Sequence, residues 1–272
     1  MADLEPRDDQ PLIIIPARFA SSRFPGKPLA RLAGLGGVER SLIEWSWRAA
    51  CSVPGTGGVI VATDDERIIA EVEGFGGIAM MTPAGCENGT ERCAAALAAL
   101  GSPQRIVVNF QGDAPLTPPA IVAAVLGRME RDASLAVATP VIPCRGETLA
   151  HLLADHKADR VGGTTVVFDR DHRALYFSKS VIPYVASAND RAADLVHLHL
   201  GIYAYRAEAL TTYVASAPSM LELAEGLEQL RFLDLGVGVG TVLCEPPDGS
   251  TIELNNPTDV PLIEAEFRRR AL

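Results

Sequence analysis

Leu12-Ile13-Ile14-Ile15-Pro16-Ala17-Arg18-Phe19-Ala20-Ser21-Ser22-Arg23-Phe24-Pro25-Gly26-Lys27-Pro28-Leu29 runs from an apolar, β-branched stretch straight into a basic loop. The apolar run does not alternate with polar residues, which is the pattern of a strand covered by helices on both faces. The same pattern recurs at Gly58–Val61, Ile78–Met81 and Ile106–Phe110. Between or after these runs lie Ala- and Leu-rich stretches with helical character: Ser41–Ala50, Asp65–Glu73, Thr90–Leu100 and Pro118–Arg128. Strand and helix in alternation predict an α/β fold with a mainly parallel sheet, whose functional loops follow the carboxyl ends of strands. Three polar loops stand in those places: Pro16–Pro28, Thr82–Arg92 and Gln111–Pro115.

Beyond about residue 134 the pattern changes. Leu135–Val141, Thr164–Phe168, Ala174–Phe177 and Leu198–Tyr205 read as strands with fewer helices between them, a mixed and partly antiparallel extension of the sheet. Leu221–Leu233 reads as one helix, Val237–Cys244 as a late strand and Asp259–Arg269 as a closing amphipathic helix with a basic last turn. The Gly34–Gly37 and Gly55–Gly58 clusters read as turns, and no linker divides the chain. The expectation is one domain over residues 1–272, with an inserted sugar-binding or dimerisation part around residues 140–215.

At 272 residues the chain is long enough to bury a full core without disulfide or metal staples. Lys and Arg number 24 against 34 Asp and Glu, a formal net charge of −10. That balance excludes a non-specific nucleic-acid binder, which needs a basic surface, but leaves room for a small anionic substrate. The five cysteines are scattered, without a C-x-x-C pair, as in a reducing cytoplasm. The first ten residues lack the basic and apolar regions of a signal peptide, and Leu12–Ile15 is far shorter than the ~20 residues of a membrane span. The chain therefore reads as cytoplasmic, without membrane or nucleic-acid partners.

Chemistry concentrates in five segments. In Pro16–Leu29 two arginines, a lysine and loop amides can wrap a polyphosphate, although the spacing is not that of a Walker A loop and a plain solvated loop has the same composition. Asn109-Phe110-Gln111-Gly112-Asp113-Ala114-Pro115 sets one carboxylate after a strand, where it can hold Mg²⁺ or simply close a turn. Glu87-Asn88-Gly89-Thr90-Glu91-Arg92 can touch a nucleotide or merely cap a helix. His199-Leu200-Gly201-Ile202-Tyr203-Ala204-Tyr205-Arg206, with His197 just before it, suits packing or substrate contact better than a metal. Leu227-Glu228-Gln229-Leu230-Arg231 is the fifth, with helix surface as its plainer alternative.

Taken in order, PARFASSRFPGKPL, ENGTER, VNFQGDAP, ALYFSKSVIPY, HLGIYAYR and LEQLRFL resemble the 3-deoxy-manno-octulosonate cytidylyltransferase (CMP-Kdo synthetase) family from about Leu12 to Leu233. The first and third motifs belong to the wider sugar nucleotidyltransferases; HLGIYAYR followed by LEQLR is much more specific. The resemblance implies a Rossmann-like nucleotidyltransferase fold and a homodimer. It also implies that CTP is joined, with Mg²⁺, to the 2-hydroxyl of Kdo, the CMP part being transferred and pyrophosphate released, for lipopolysaccharide synthesis. Carried over motif by motif, it gives Arg18, Lys27 and Asp113 as the catalytic set. Nucleotide contacts fall at Pro16, Ala17, Arg18, Ser21, Arg23, Lys27, Asn88, Gly89, Thr90, Arg92, Gln111 and Asp113. The sugar-acid pocket falls at Lys179, His199, Tyr203, Glu228 and Gln229, and metal ligation at Asp113 and Asn255. In-line attack on an α-phosphate asks for neutralised charge and positioning more than for a protein nucleophile, which suits these residue types.

Departures from the family pattern cluster where metal and sugar would meet. Ala114 stands for a glutamate, Lys179 exchanges a forked arginine for a point charge, and Thr165 is the nearest match to a lysine. The late motif G-x-D-T-P-E-D-L appears as Glu253-Leu254-Asn255-Asn256-Pro257-Thr258-Asp259-Val260, so an aspartate of the family becomes Asn255. Either the metal is held more weakly, or Glu253 or Asp259 substitutes. The alternatives are therefore a cytidylyltransferase for a modified sugar acid, such as an 8-amino Kdo, or a nucleotide-binding homologue with weakened or lost catalysis.

Overall fold

The computed structural model describes residues 10–20, 23–101, 106–187, 190–249 and 251–272. The chain forms two compact units, Met1–Ala123 with Pro247–Leu272, and Ala124–Pro246.

In the first unit the elements are β1 (Leu12–Ala17), β2 (Arg31–Ala33), β3 (Glu39–Ser41), α1 (Leu42–Cys51), β4 (Gly58–Thr63), α2 (Glu66–Gly74), β5 (Ile78–Met81), α3 (Gly89–Leu100) and β6 (Ile106–Asn109). β1 pairs in parallel with β4 through Leu12↔Gly58 to Ala17↔Thr63 and with β6 through Leu12↔Val107 to Ile14↔Asn109. β5 lies parallel to β4. Leu12 to Ile15 have no exposed surface, which accounts for their unbroken hydrophobicity. Each crossover helix starts on a side-chain cap. Ser41 Oγ accepts from the Glu44 amide, Asp65 from Arg67 and Asn88 from Glu91. These caps fix where β-strand ends give way to helix, and so fix the loops between them.

α4 (Pro119–Arg131) leads into the second unit, which holds β7 (Val137–Pro143), α5 (Gly146–Lys157), β8 (Thr165–Phe168), β9 (Ala174–Ser178), β10 (His197–His199), β11 (Tyr203–Arg206), α6 (Ala207–Val214), α7 (Met220–Glu225), α8 (Leu230–Asp234) and β12 (Val239–Leu243). β7 pairs antiparallel with β10 and β11 and parallel with β12; β8 pairs antiparallel with β10 and β9. The mixed, partly antiparallel extension expected from the sequence is thus present. α9 (Val260–Arg269) returns to the first unit, where Phe267 stacks on Trp45 with ring centroids 4.4 Å apart. Leu32, Leu116, Leu254 and Ile263 pack around that pair. Truncating a buried aromatic at such a place costs ~3–5 kcal/mol.

Two expected elements are corrected. The single strand Leu198–Tyr205 is two strands, β10 and β11, broken where the Ile202 amide donates to the Leu200 carbonyl at 2.7 Å. The single helix Leu221–Leu233 is α7 and α8, because Gly226 takes a left-handed conformation (φ +61°) and the amides of Gly226 and Leu227 both turn back to the Glu222 carbonyl. The β2–β3 hairpin, α5 and α6 have no counterpart in the expected elements.

Candidate active site

The basic loop after β1 is closed at its base. The Gly26 amide donates to the Phe19 carbonyl (3.0 Å) and the Lys27 amide to that of Phe24 (3.1 Å). Gly26 has φ +70°, and a Cβ there would meet the Phe19 ring at 3.0 Å, so only glycine suits both the turn and the contact. On the Phe19 ring sits the Arg67 guanidinium, 3.4 Å from the centroid, itself held by both carboxylate oxygens of Asp65. Those hydrogen bonds keep the Asp65 carboxyl below its ordinary range. The loop is thus anchored to the start of α2.

From this base Lys27 Nζ donates to Asp113 Oδ2 at 2.6 Å, with both side chains largely buried, and Arg23 donates to Asn255 Oδ1 at 3.0 Å. Arg18 is exposed at the end of β1, directly after Pro16 and Ala17. Ser21 lies outside the described residues. Asp113 follows β6 in a turn that begins with Gln111, and a Cβ on Gly112 would come within 2.9 Å of the Pro16 carbonyl. Glycine therefore lets the ends of β1 and β6 close together. Ser46 Oγ fixes the Gly112 carbonyl at 2.9 Å.

The late segment meets the same place, since the Leu254 amide donates to the Asp113 carbonyl at 2.9 Å. Leu254 points into the core with no exposed surface, while Glu253 and Asn255 on either side of it hydrogen-bond through their side chains. Burial, then the negative charge of Asp113, pushes the Glu253 carboxyl up to about 7, against the opposing pull of Lys27, Asn255 and Arg23. Asp259 is occupied otherwise: its Oδ2 accepts from the amides of Asn255 (2.9 Å) and Asn256 (2.7 Å), closing a capping box. Of the two acidic residues near Asn255, Glu253 is the one that shares a field with Asp113.

The Asn88–Arg92 segment forms the first turn of α3. Asn88 Oδ1 accepts from the Glu91 amide at 2.9 Å, which is the capping role its sequence allowed. Gly89 abuts Asn109 at the end of β6, where a Cβ would stand 2.9 Å from Nδ2. Thr90 is buried. Arg92 is buried too, donating to Thr82 Oγ1 (2.8 Å) and Asp64 Oδ2 (2.9 Å), so its charge is spent on its own scaffold.

The second unit gathers the other predicted residues. His199 on β10 and Tyr203 at the start of β11 have ring centroids 5.3 Å apart, with Phe177 edge-on to His199 at 5.1 Å. Thr139 on β7 lies between them and the break in the strand. Its hydroxyl donates to the Ile202 carbonyl (2.7 Å) and stands 2.8 Å from His199 Nε2. With its one proton committed, Thr139 Oγ1 accepts from Nε2–H, an assignment that follows from the network and leaves Nδ1 as an acceptor. Burial pushes the His199 pKa down to about 3, so the ring is neutral at pH 7. Gln229 is buried, and its Nε2 has no protein partner among the described residues. Glu228 and Gln229 open α8, which is clamped from behind. Glu222 accepts from Arg231 Nε at 2.6 Å and from its second amine at 2.7 Å, with the guanidinium 3.9 Å above the Tyr213 ring. Lys179 is exposed just past the end of β9. Thr139, Glu222 and Glu225 were not singled out in the sequence; none lies in a motif whose residue type announces a role.

Among the described residues no helix is long and apolar enough to cross a membrane, and no group of three or more His, Cys, Asp or Glu could by itself hold a metal.

A family model described as "Cytidylyltransferase" matches residues 12–238. The 3-deoxy-manno-octulosonate cytidylyltransferase of Maricaulis maris is 44% identical over 93% of this chain and 95% of its own. That of Myxococcus xanthus is 41% identical over 94% and 96%. A solved structure of CMP:2-keto-3-deoxy-manno-octonic acid synthetase complexed with CTP superposes with a TM-score of 0.82 at 33% identity, covering 97% of this chain and all of the other.

Proposed function

The chain belongs to the 3-deoxy-manno-octulosonate cytidylyltransferase family, and from that premise we propose how its residues serve the reaction. The protein is a CTP-dependent nucleotidyltransferase that transfers the CMP part of CTP to Kdo and releases pyrophosphate, a step toward lipopolysaccharide. Arg18, Arg23 and Lys27, with the amides of the loop from Pro16 and Ala17, bind the triphosphate; Ser21 belongs to the same loop. Forked and point-charge donors on one anchored loop neutralise the phosphate charge that repels an attacking hydroxyl. Asn88, Gly89 and Thr90 present the amino end of α3 near the nucleotide, with Arg92 beneath them as support and Gln111 beside Asp113. The observation that carries this assignment is the Lys27–Asp113 pair, which joins the basic loop to the end of β6 at 2.6 Å.

The donor set at that place fits Mg²⁺. Asp113 and Glu253 offer carboxylate oxygens and Asn255 an amide oxygen; Mg²⁺ takes one or two carboxylates and completes its shell with water and phosphate oxygens. Burial first, and then the negative charge of Asp113, raise the Glu253 carboxyl, and a divalent cation between the two would offset that repulsion. Asp113, with Asn255 and Glu253, would hold the ion, which when bound supplies neutralisation at the phosphates. A second carboxylate beside Asp113 also favours retained catalysis over a homologue that only binds nucleotide.

Lys179, His199, Tyr203, Glu228 and Gln229 bind the sugar acid. Lys179 supplies a cation for its carboxylate. Neutral His199 offers Nδ1 as an acceptor for a hydroxyl, and Gln229 keeps an amide donor that none of the described residues takes up. The five cysteines are all free, in keeping with a cytoplasmic site of action, and a homodimer is the expected assembly.

Calorimetry with CTP tests the loop. A charge-assisted hydrogen bond is worth about 1.5–3 kcal/mol, so Lys27→Ala should weaken CTP binding by about ten- to a hundredfold. Asp113→Ala should abolish Mg²⁺-dependent pyrophosphate release while circular dichroism stays native. Unchanged CTP affinity in the first variant, or normal activity in the second, overturns the assignment.

A further inference from the structure

We propose that Glu225, with Gly226, is a positioning element that holds Lys179 in place for the carboxylate of the sugar acid, and so sets affinity for that substrate without touching it. The inference rests on the sugar-site assignment of Lys179, Glu228 and Gln229 made above.

The ladder between β8 and β9 ends at Thr165↔Ser178, so the Lys179 amide lies past the last paired residue of its strand. Glu225 takes it up: Oε2 accepts from the Lys179 amide at 2.9 Å, while Oε1 accepts from Ser178 Oγ at 2.7 Å and from the Tyr176 hydroxyl at 3.4 Å. Ser178 Oγ in turn accepts from the Ser180 amide at 3.0 Å. Both oxygens of one carboxylate thus fasten the end of β9 to the last residue of α7. A carboxylate suits this task because it accepts on every side and donates nowhere, and bonds to a charged acceptor are the stronger kind.

Gly226 completes the arrangement. A Cβ there would stand 2.8 Å from Lys179 Nζ, and φ is +61°. The ammonium therefore lies across the glycine, and the left-handed turn sends the chain into Leu227, Glu228 and Gln229 directly afterwards. Glu225 fixes the lysine's backbone, Gly226 gives its side chain passage, and the next residues are the remaining polar members of the sugar site. Lysine has a flexible stem and no fork to orient itself, so an external clamp matters more for it than for arginine.

Steady-state kinetics with Kdo and CTP on the full chain provides the test. Glu225→Gln keeps size and one acceptor oxygen but removes the charge, and either sets an amide donor against the Lys179 amide or forces the Ser178 hydroxyl to turn from donor to acceptor. It is expected to raise KM for Kdo about tenfold or more, to change kcat by less than about threefold and to leave KM for CTP and the thermal midpoint near wild type. Ser178→Ala, which removes one of the bonds and keeps the carboxylate, should give a smaller rise in the same constant. Gly226→Ala should raise it as Glu225→Gln does. In a Lys179→Ala background, Glu225→Gln should add nothing further, because the group it positions is gone. A rise with Lys179→Ala but none with Glu225→Gln overturns the inference and leaves the sugar site standing. No rise with Lys179→Ala overturns both. A Glu225→Gln protein that loses thermal stability and raises both KM values equally would show a purely structural role and also overturns it.

Discussion

Lowering the pH from 7 to 5 should cost this protein stability at the ring of His199. Above pH about 6.5 the imidazole is neutral in both native and unfolded chains and has no effect on stability. Below that value the unfolded chain takes up a proton that the native chain refuses, because burial holds the native pKa down to about 3. Stability therefore falls as pH drops, and the fall ends only near pH 3, where the native ring protonates as well. At pH 5 the unfolded form gains ~2 kcal/mol from this proton, against ~0.2 kcal/mol at pH 7. His197, whose pKa burial also lowers, adds in the same direction, while Glu253, whose carboxyl burial and the Asp113 charge push up to about 7, takes up a proton in the native chain over the same interval and works the other way, so the comparison needs a variant at His199 alone. His199→Gln keeps an amide donor near Thr139 Oγ1 and removes the titration. Urea unfolding at pH 7 and pH 5 should show the wild type losing about 2 kcal/mol more than His199→Gln. Equal pH dependence in the two proteins would mean that the native ring accepts a proton readily. It would refute burial as the control on this ring, and with it a neutral His199 offering Nδ1 as an acceptor below pH about 6.5.

Other outcomes follow from single contacts. Asn255→Asp adds a charge at the metal position, and a gain of about 1–3 kcal/mol would lower the Mg²⁺ needed for half-maximal activity by about five- to a hundredfold; identical Mg²⁺ titrations would remove Asn255 from that position. Glu222→Gln strands the buried Arg231 guanidinium, and unfolding free energy should fall by about 3–5 kcal/mol, read by chemical denaturation. Gly112→Ala forces a Cβ against the Pro16 carbonyl at 2.9 Å, so turnover should collapse while CTP still binds the loop; wild-type turnover would show that the two strand ends do not need to close.

Much of the first unit was legible in the sequence because its strands are buried on both faces and announce themselves by unbroken Ile and Val, as at Leu12–Ile15. The loops after them were legible for the same reason. The β2–β3 hairpin was not: its strands are three residues each, too short to show alternation. The break between α7 and α8 was hidden because the helical spacing of apolar residues continues through it, and only the left-handed turn at Gly226 reveals it. Among site residues, Lys27 and Asp113 were visible as a basic loop and a strand-end carboxylate, though their pairing across 86 positions was not. Arg92 was placed near the nucleotide by its motif. Its buried bond to Asp64, 28 residues earlier, is a contact no local pattern carries. Glu225 escaped notice for the same reason, since its partners lie 46 to 49 residues upstream.

The most direct test of the account is pyrophosphate release with Mg²⁺, comparing CTP, UTP, ATP and GTP against Kdo and 8-amino Kdo. Rapid release is expected with CTP and Kdo together, little with the other nucleotides, and none when Kdo is omitted. Release that is absent with CTP and Kdo, or is faster with 8-amino Kdo than with Kdo, would contradict it.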